Sequence, residues 1–189
     1  MMTSWNKVEI FHNIFSNSQV LKLNSEAAGV MPIQGVRQLE RIGDRENVLG
    51  WKIRLLIGLK GDRPNLNFRW ICFSLPKASG IGYSSVFSSS TNNVMLDEMN
   101  RDVVKVLGQG TWCPNQAGLS ATNNDEYTVK KMFIPHKRVY KFGPSDTSAV
   151  THNQDDVYFS ILCYDAYGSL ASDNIAYFQC YSELLFKDP

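Results

Sequence analysis

Apolar and polar residues alternate with a period of two along much of this chain, the pattern of strands with one face in a core and one in water. Residues 48–59 carry it most clearly. Trp51, Ile53, Leu55, Ile57 and Leu59 share one face, and Lys52, Arg54 and Lys60 take the opposite one. The turn sequence Gly61-Asp62-Arg63-Pro64-Asn65 follows, after which residues 67–75 place Phe68, Trp70, Ile71 and Phe73 on both faces. Apolar side chains on both faces predict a central strand. Further strands are predicted at 102–112, 126–142, 157–165 and 175–187. Gly108 and Gly110 in the first of these mark a bulge or a close backbone approach, and Pro135 in the second predicts a sheet edge or a bulge, because proline cannot donate to a ladder. Near the N-terminus, residues 7–12 or, alternatively, 19–23 supply a strand. A short strand is expected near 85–88 and one helical turn within 93–101.

Strands at this spacing, joined by loops instead of helices, predict an all-β antiparallel sandwich, and eight of them permit the jelly roll. A chain of 189 residues is accommodated by one such domain. Residues 1–35 are expected to form an N-terminal strand or arm and residues 36–189 the jelly-roll body, with the last two strands paired as its central elements.

Composition narrows the function classes. The 43% apolar and 20% charged content is that of an ordinary folded domain. Nineteen basic residues against eighteen acidic ones leave global charge near zero, so any contact with nucleic acid has to come from local patches. The N-terminus lacks the pattern of a secretory signal, no window approaches the run of about 18 apolar residues that a membrane span needs, and no Asn-x-Ser/Thr sequon occurs. No membrane partner and no secretory route are therefore expected. Cys72, Cys113, Cys163 and Cys180 are widely scattered, without the close pairs of zinc or redox motifs, and read as buried free thiols.

The order and texture of these elements resemble a family, the single jelly-roll coat proteins of small icosahedral viruses, as in satellite necrosis viruses and circular single-stranded DNA viruses. The resemblance begins at Arg41-Ile42-Gly43-Asp44, continues through the paired strands at 48–59 and 67–75, and is best at Val129-Lys130-Lys131-Met132-Phe133-Ile134-Pro135-His136-Lys137-Arg138-Val139-Tyr140. The strand at 157–165 and the one ending Tyr181-Ser182-Glu183-Leu184-Leu185-Phe186 look like the final pair. What the resemblance implies is an eight-stranded jelly roll of two four-stranded sheets, with the proline-containing strand at the edge of one, in a capsid protein that self-assembles into a shell of roughly sixty identical copies, the simplest icosahedral arrangement. It would enclose a genome, reside in the virion and in the host cell during assembly, and have itself and sequence-nonspecific nucleic acid as partners. Such coats usually begin with an arginine-rich arm. Residues 1–30 here hold Lys7 and Lys22 against Glu9 and Glu26, a formal charge of 2 − 2, or zero.

The expected nucleic-acid contact is therefore the basic cluster Lys130, Lys131, Lys137, Arg138 and Lys141, with Tyr140 to stack a base. His136 and Phe133 lie within it. Against this stands the reading of a lysine-guarded edge strand, since adjacent lysines on a strand point to opposite faces. A second basic stretch, Arg37, Arg41, Arg45, Lys52 and Arg54, is diluted by Glu40, Asp44 and Glu46 and reads as surface ion pairs. Residues 142–189 hold Asp146, Asp155, Asp156, Asp165, Asp173, Glu183 and Asp188 against Lys187, a polarity suited to contacts between unlike patches.

Enzyme chemistry is not expected. His152 lies near Asp155 and Asp156, which would have to orient its ring, but no nucleophile elbow, phosphate loop or zinc spacing accompanies it. No cofactor is expected, and loop aspartates such as Asp146, Asp155 and Asp156 more often cap turns than bind calcium. The alternative is a carbohydrate-binding or other recognition sandwich using Trp5, Tyr83, Trp112 and Tyr167 as a stacking platform.

Overall fold

A computed structural model of the chain describes residues 2–26, 30–32, 43–59, 66–77, 79–113, 127–143, 152–166 and 173–187. The alternating stretches form strands β1 (Met2–Phe11), β2 (Val20–Lys22), β3 (Arg45–Leu59), β4 (Leu66–Leu75), β5 (Lys105–Trp112), β6 (Tyr127–Lys141), β7 (Asp156–Asp165) and β8 (Asn174–Lys187). They pair antiparallel in two four-stranded sheets, one ordered β1-β8-β3-β6 and the other β2-β7-β4-β5. This is the expected jelly-roll sandwich.

Both N-terminal stretches become strands, where the alternation offered them as alternatives. β1 runs along β8 from Met2 opposite Leu184 to Phe11 opposite Asn174, and β2 pairs with β7. The pairing expected between 48–59 and 67–75 and between the last two strands is corrected: β3 and β4 lie in opposite sheets, as do β7 and β8, because the chain crosses from one sheet to the other between them. Each of β7 and β8 is nevertheless interior to its sheet; β7 is buried almost throughout, whereas β8 alternates between buried and half-buried positions along much of its length. β6 stands at an edge, where Pro135 does not interrupt a second ladder.

The main core fills the space between the sheets. Trp51, Ile53, Leu55 and Ile57 from β3, Phe68 from β4, Phe159 and Ile161 from β7 and Phe178 from β8 are buried there. Burying each such side chain stabilises the fold by about 1.5–3 kcal/mol. Gly108 and Gly110 on β5 are required by a close approach. A Cβ would lie 2.9 Å from the Trp70 ring at the first and 2.7 Å from its indole nitrogen at the second. β5 also carries one extra residue, Leu107, where its register against β4 shifts between Cys72 and Phe73. Both features anticipated from these glycines are present.

A second core lies on the outside of the β2-β7-β4-β5 sheet, formed as residues 79–104 pack over Ile71, Phe73 and Leu75. Here two expectations are corrected. Instead of a strand near 85–88 there is a four-residue helix, α1 (Tyr83–Val86), because Tyr83, Val86 and Phe87 fall at helical spacing on that core while Ser84 faces water. Residues 93–101 form turns instead of a helical turn, and Arg69 of β4 closes them. Its Nη1 donates to the carbonyls of Val94 (2.9 Å), Met95 (3.3 Å) and Asp97 (2.6 Å), and its Nη2 to Gln109 Oε1 (3.1 Å). Carbonyl oxygens gathered on a buried guanidinium replace the ladder that a helix would have supplied. Replacing Arg69 by Met should destabilise the protein by about 2–3 kcal/mol, since buried carbonyls lose their donors. Urea unfolding of wild type and variant measures this.

Candidate nucleic-acid interface

Strand β6 sorts the predicted basic cluster by alternation. Val129, Lys131, Phe133, Pro135, Lys137, Val139 and Lys141 are exposed on one face, and Met132, Ile134, His136 and Tyr140 turn inward. Lys131, Lys137 and Lys141 thus share the outer face of the β1-β8-β3-β6 sheet. Arg138 is also exposed, but it falls in the inward register. Lys130 is half-buried with its ammonium 6.0 Å from the Trp112 ring centroid, on the side toward β5.

Tyr140 is a correction. Its ring is fully buried, so no base can reach it. Its hydroxyl accepts from Asn24 Nδ2 and shares a second hydrogen bond with His136 Nε2, both at 3.2 Å, while burial raises its pKa. It is part of a polar cluster at one end of the sandwich. In that cluster Asn24, itself buried, donates to the Asp155 carbonyl (2.8 Å), accepts from Val157 N–H (2.8 Å) and offers its own carbonyl to His152 Nε2 (2.9 Å). Nothing in the residue pattern singled out Asn24. The one signal available was a polar residue directly after the buried Leu23.

The outer face of the sheet supplies what Tyr140 does not. Cross-strand register aligns Tyr181 of β8, Arg54 of β3 and Lys131 of β6 in one row, and Glu183, Lys52 and Phe133 in the next. A third row runs through Lys7, Gln179, Leu56 and Val129, and a fourth through Glu9, Tyr177 and Gly58. Tyr177 lies flat over Gly58, where an added Cβ would come within 2.3 Å of its ring, and the Lys7 ammonium sits 4.7 Å from that ring's centroid. The Arg54 guanidinium sits 5.7 Å from the Tyr181 ring centroid. Half-exposed Lys52 lies 3.9 Å from the carboxylate of Glu183, which is itself buried. Basic side chains outnumber Glu9 and Glu183 on this face, and aromatic rings are interleaved with them. The period-two pattern of 175–183 contained these positions, but only strand order brings them beside Arg54 and Lys131.

The other candidate chemistries are placed differently. His152 is not oriented by carboxylates, since its Nε2 meets the Asn24 carbonyl and its Nδ1 faces Gln154 N–H at 3.3 Å. Asp156 instead pairs with Lys22 at 2.7 Å and accepts from the Tyr158 hydroxyl at 3.2 Å, while Asp146 lies outside the described residues. Cys72, Cys163 and Cys180 are buried, with burial pushing each thiol pKa up, and Cys113 is exposed, contrary to expectation. Position 113 immediately follows the end of β5, beyond the ladder that would have covered it. Of the proposed stacking platform, Trp112 is stacked on Phe68 with centroids 5.2 Å apart, and Tyr83 is tied to Asp97 and to the Ser89 carbonyl. The Trp5 side chain and Tyr167 lie outside what is described, as do Arg37 and Arg41. Among the described residues no helix is long and apolar enough to cross a membrane.

No family model matches the chain, and no curated protein matches it in sequence.

Proposed function

We propose that this chain is a capsid protein whose copies associate into a small icosahedral shell around a nucleic-acid genome. The observation that carries the reading is the unlike treatment of the two sheet faces of a jelly roll. The face of β2-β7-β4-β5 is covered by the second core, and that of β1-β8-β3-β6 is basic and aromatic, with Lys7, Lys52, Arg54 and Lys131 exposed on it. Such a block has one padded side and one side suited to polyanion, the polarity a shell subunit needs between exterior and interior. Phosphate contacts through Lys52, Arg54, Lys131 and Lys137 would hold nucleic acid without reading its sequence. Closed point-group symmetry then multiplies modest subunit contacts into a stable particle. The virion, and the host cell during assembly, are the corresponding locations.

Purified protein examined by electron microscopy and sedimentation should form closed shells of uniform diameter, with nuclease-protected nucleic acid raising their absorbance ratio. A persistent monomer at near-physiological salt overturns the proposal.

A further inference from the structure

The basic face contains a shallow dish of about 160 Å³, lined by Arg54, Leu56, Val129, Gln179 and Tyr181, with the backbone near Leu55 as its floor. Its chemistry is specific. Leu56 and Val129 are apolar, Val129 being 61% exposed, and the Tyr181 ring supplies a π surface. Gln179 offers an amide donor and acceptor at the rim. Arg54 lies against the ring, Lys131 stands in the next position of the same row, and Lys7 lies across the strand from Gln179. An apolar, ring-walled recess surrounded by cations fits a flat heteroaromatic group attached to an anionic backbone.

We propose that this dish receives an unpaired nucleobase, and that the β1-β8-β3-β6 face is a track for single-stranded nucleic acid. Paired bases in a duplex are stacked on their own neighbours and present only their edges, so a recess walled by Tyr181 cannot engage them. Arg54 and Lys131 then take the phosphates flanking the stacked base, and Gln179 bonds its edge with little sequence preference. The inference rests on the nucleic-acid-facing role given above to this sheet, and it replaces Tyr140 by Tyr181 as the stacking residue.

Fluorescence anisotropy of intact wild-type protein tests it with three probes of equal length: an oligothymidylate, an abasic oligonucleotide and a duplex. The oligothymidylate should bind about tenfold more tightly than the abasic strand, and Tyr181→Ala should reduce that difference to about twofold or less. Tyr181→Phe, which keeps the ring, should retain it. Lys131→Ala should weaken all three probes and lower the salt slope by about one. Equal binding of abasic and base-containing strands by wild type, or full retention of the difference in Tyr181→Ala, overturns the inference. So does an absence of binding at low salt, which would make this face a protein contact. Thermal melts confirm that the variants fold. Shells without base-dependent binding would refute the track alone, and base-dependent binding by a persistent monomer would refute the shell alone.

Discussion

Replacing Gly50 by Ala should prevent the sandwich from forming at ordinary temperature, or destabilise it by more than about 4 kcal/mol. Gly50 has φ +146°, and a Cβ there would lie 2.1 Å from the Ile134 carbonyl oxygen and 3.1 Å from His136 N. These are backbone atoms of the neighbouring strand, so no rotamer change relieves the overlap. The register of β3 shifts against both β6 and β8 between Val48 and Gly50. That shift is what lets Val48 and Trp51, three residues apart, both point into the core. Straightening the strand to relieve the clash would turn one side of β3 inside out. Gly43 provides the control, because its φ of +87° is equally unsuited to a side chain but nothing lies within 4 Å of a Cβ. Gly43→Ala should cost only about 1–2 kcal/mol. Chemical denaturation of the two variants, followed by circular dichroism, separates a steric requirement from a conformational one.

That glycine marks the boundary of what the residue pattern could reveal. The alternation of 51, 53, 55, 57 and 59 identified β3 and its faces correctly, since side-chain direction follows from strand geometry alone. The phase change between Val48 and Trp51 is invisible to a period-two reading, because it is set by two neighbouring strands that lie far away in sequence. Pro135 was informative for a local reason, a missing donor, and so placed β6 at an edge. Tyr140 departs from the expected exposure for a non-local one. Its position in the alternation was inward, but the run of charges around it suggested a wet surface, and Asn24, 116 residues away, is what makes its burial tolerable. The same holds for the nucleic-acid face. Lys131 and Lys137 could be picked from one strand's composition, whereas Tyr181, Gln179 and Lys7 join them only through a strand order that periodicity does not contain. The second core was hidden because residues 79–104 alternate with no sustained period, being held by Arg69 and by short turns.

Acidification should loosen the end of the sandwich where β6, β7 and the segment after β2 meet, with stability falling as pH drops from about 6.5 toward 4. His136 lies against Trp51, ring centroids 5.1 Å apart, and His152 against Tyr140 at 5.0 Å. His152 Nδ1 accepts from Gln154 N–H, and His136 Nε2 shares a hydrogen bond with the Tyr140 hydroxyl. A proton added at His152 Nδ1 would set donor against donor, and one added to His136 would put a charge in a buried, ring-lined site. Burial lowers the His136 pKa to about 4, helped by Arg138, Lys105 and His152, and burial likewise lowers that of His152, opposed by its hydrogen bond to the Asn24 carbonyl and by Glu26 and Asp156, with Lys77 assisting. In the unfolded chain both titrate near 6.5, so below that pH the unfolded state binds protons that the folded state refuses. The stabilisation from neutral, packed rings is complete above about 7 and is lost progressively as pH falls toward the folded-state value. Allowing for residual solvent screening, His136 alone should account for about 1–2 kcal/mol between pH 7.5 and pH 5. For a domain of this size that is a fall of a few degrees in Tm. The carboxylates Glu26 and Asp97, whose pKa values are lowered, add their own loss only below about 4.5, so the interval from 6.5 to 4.5 isolates the histidines. His136→Gln with His152→Gln should be less stable at neutral pH yet nearly flat over that interval. A double variant that keeps the wild-type slope would show that groups other than these two rings carry the acid response.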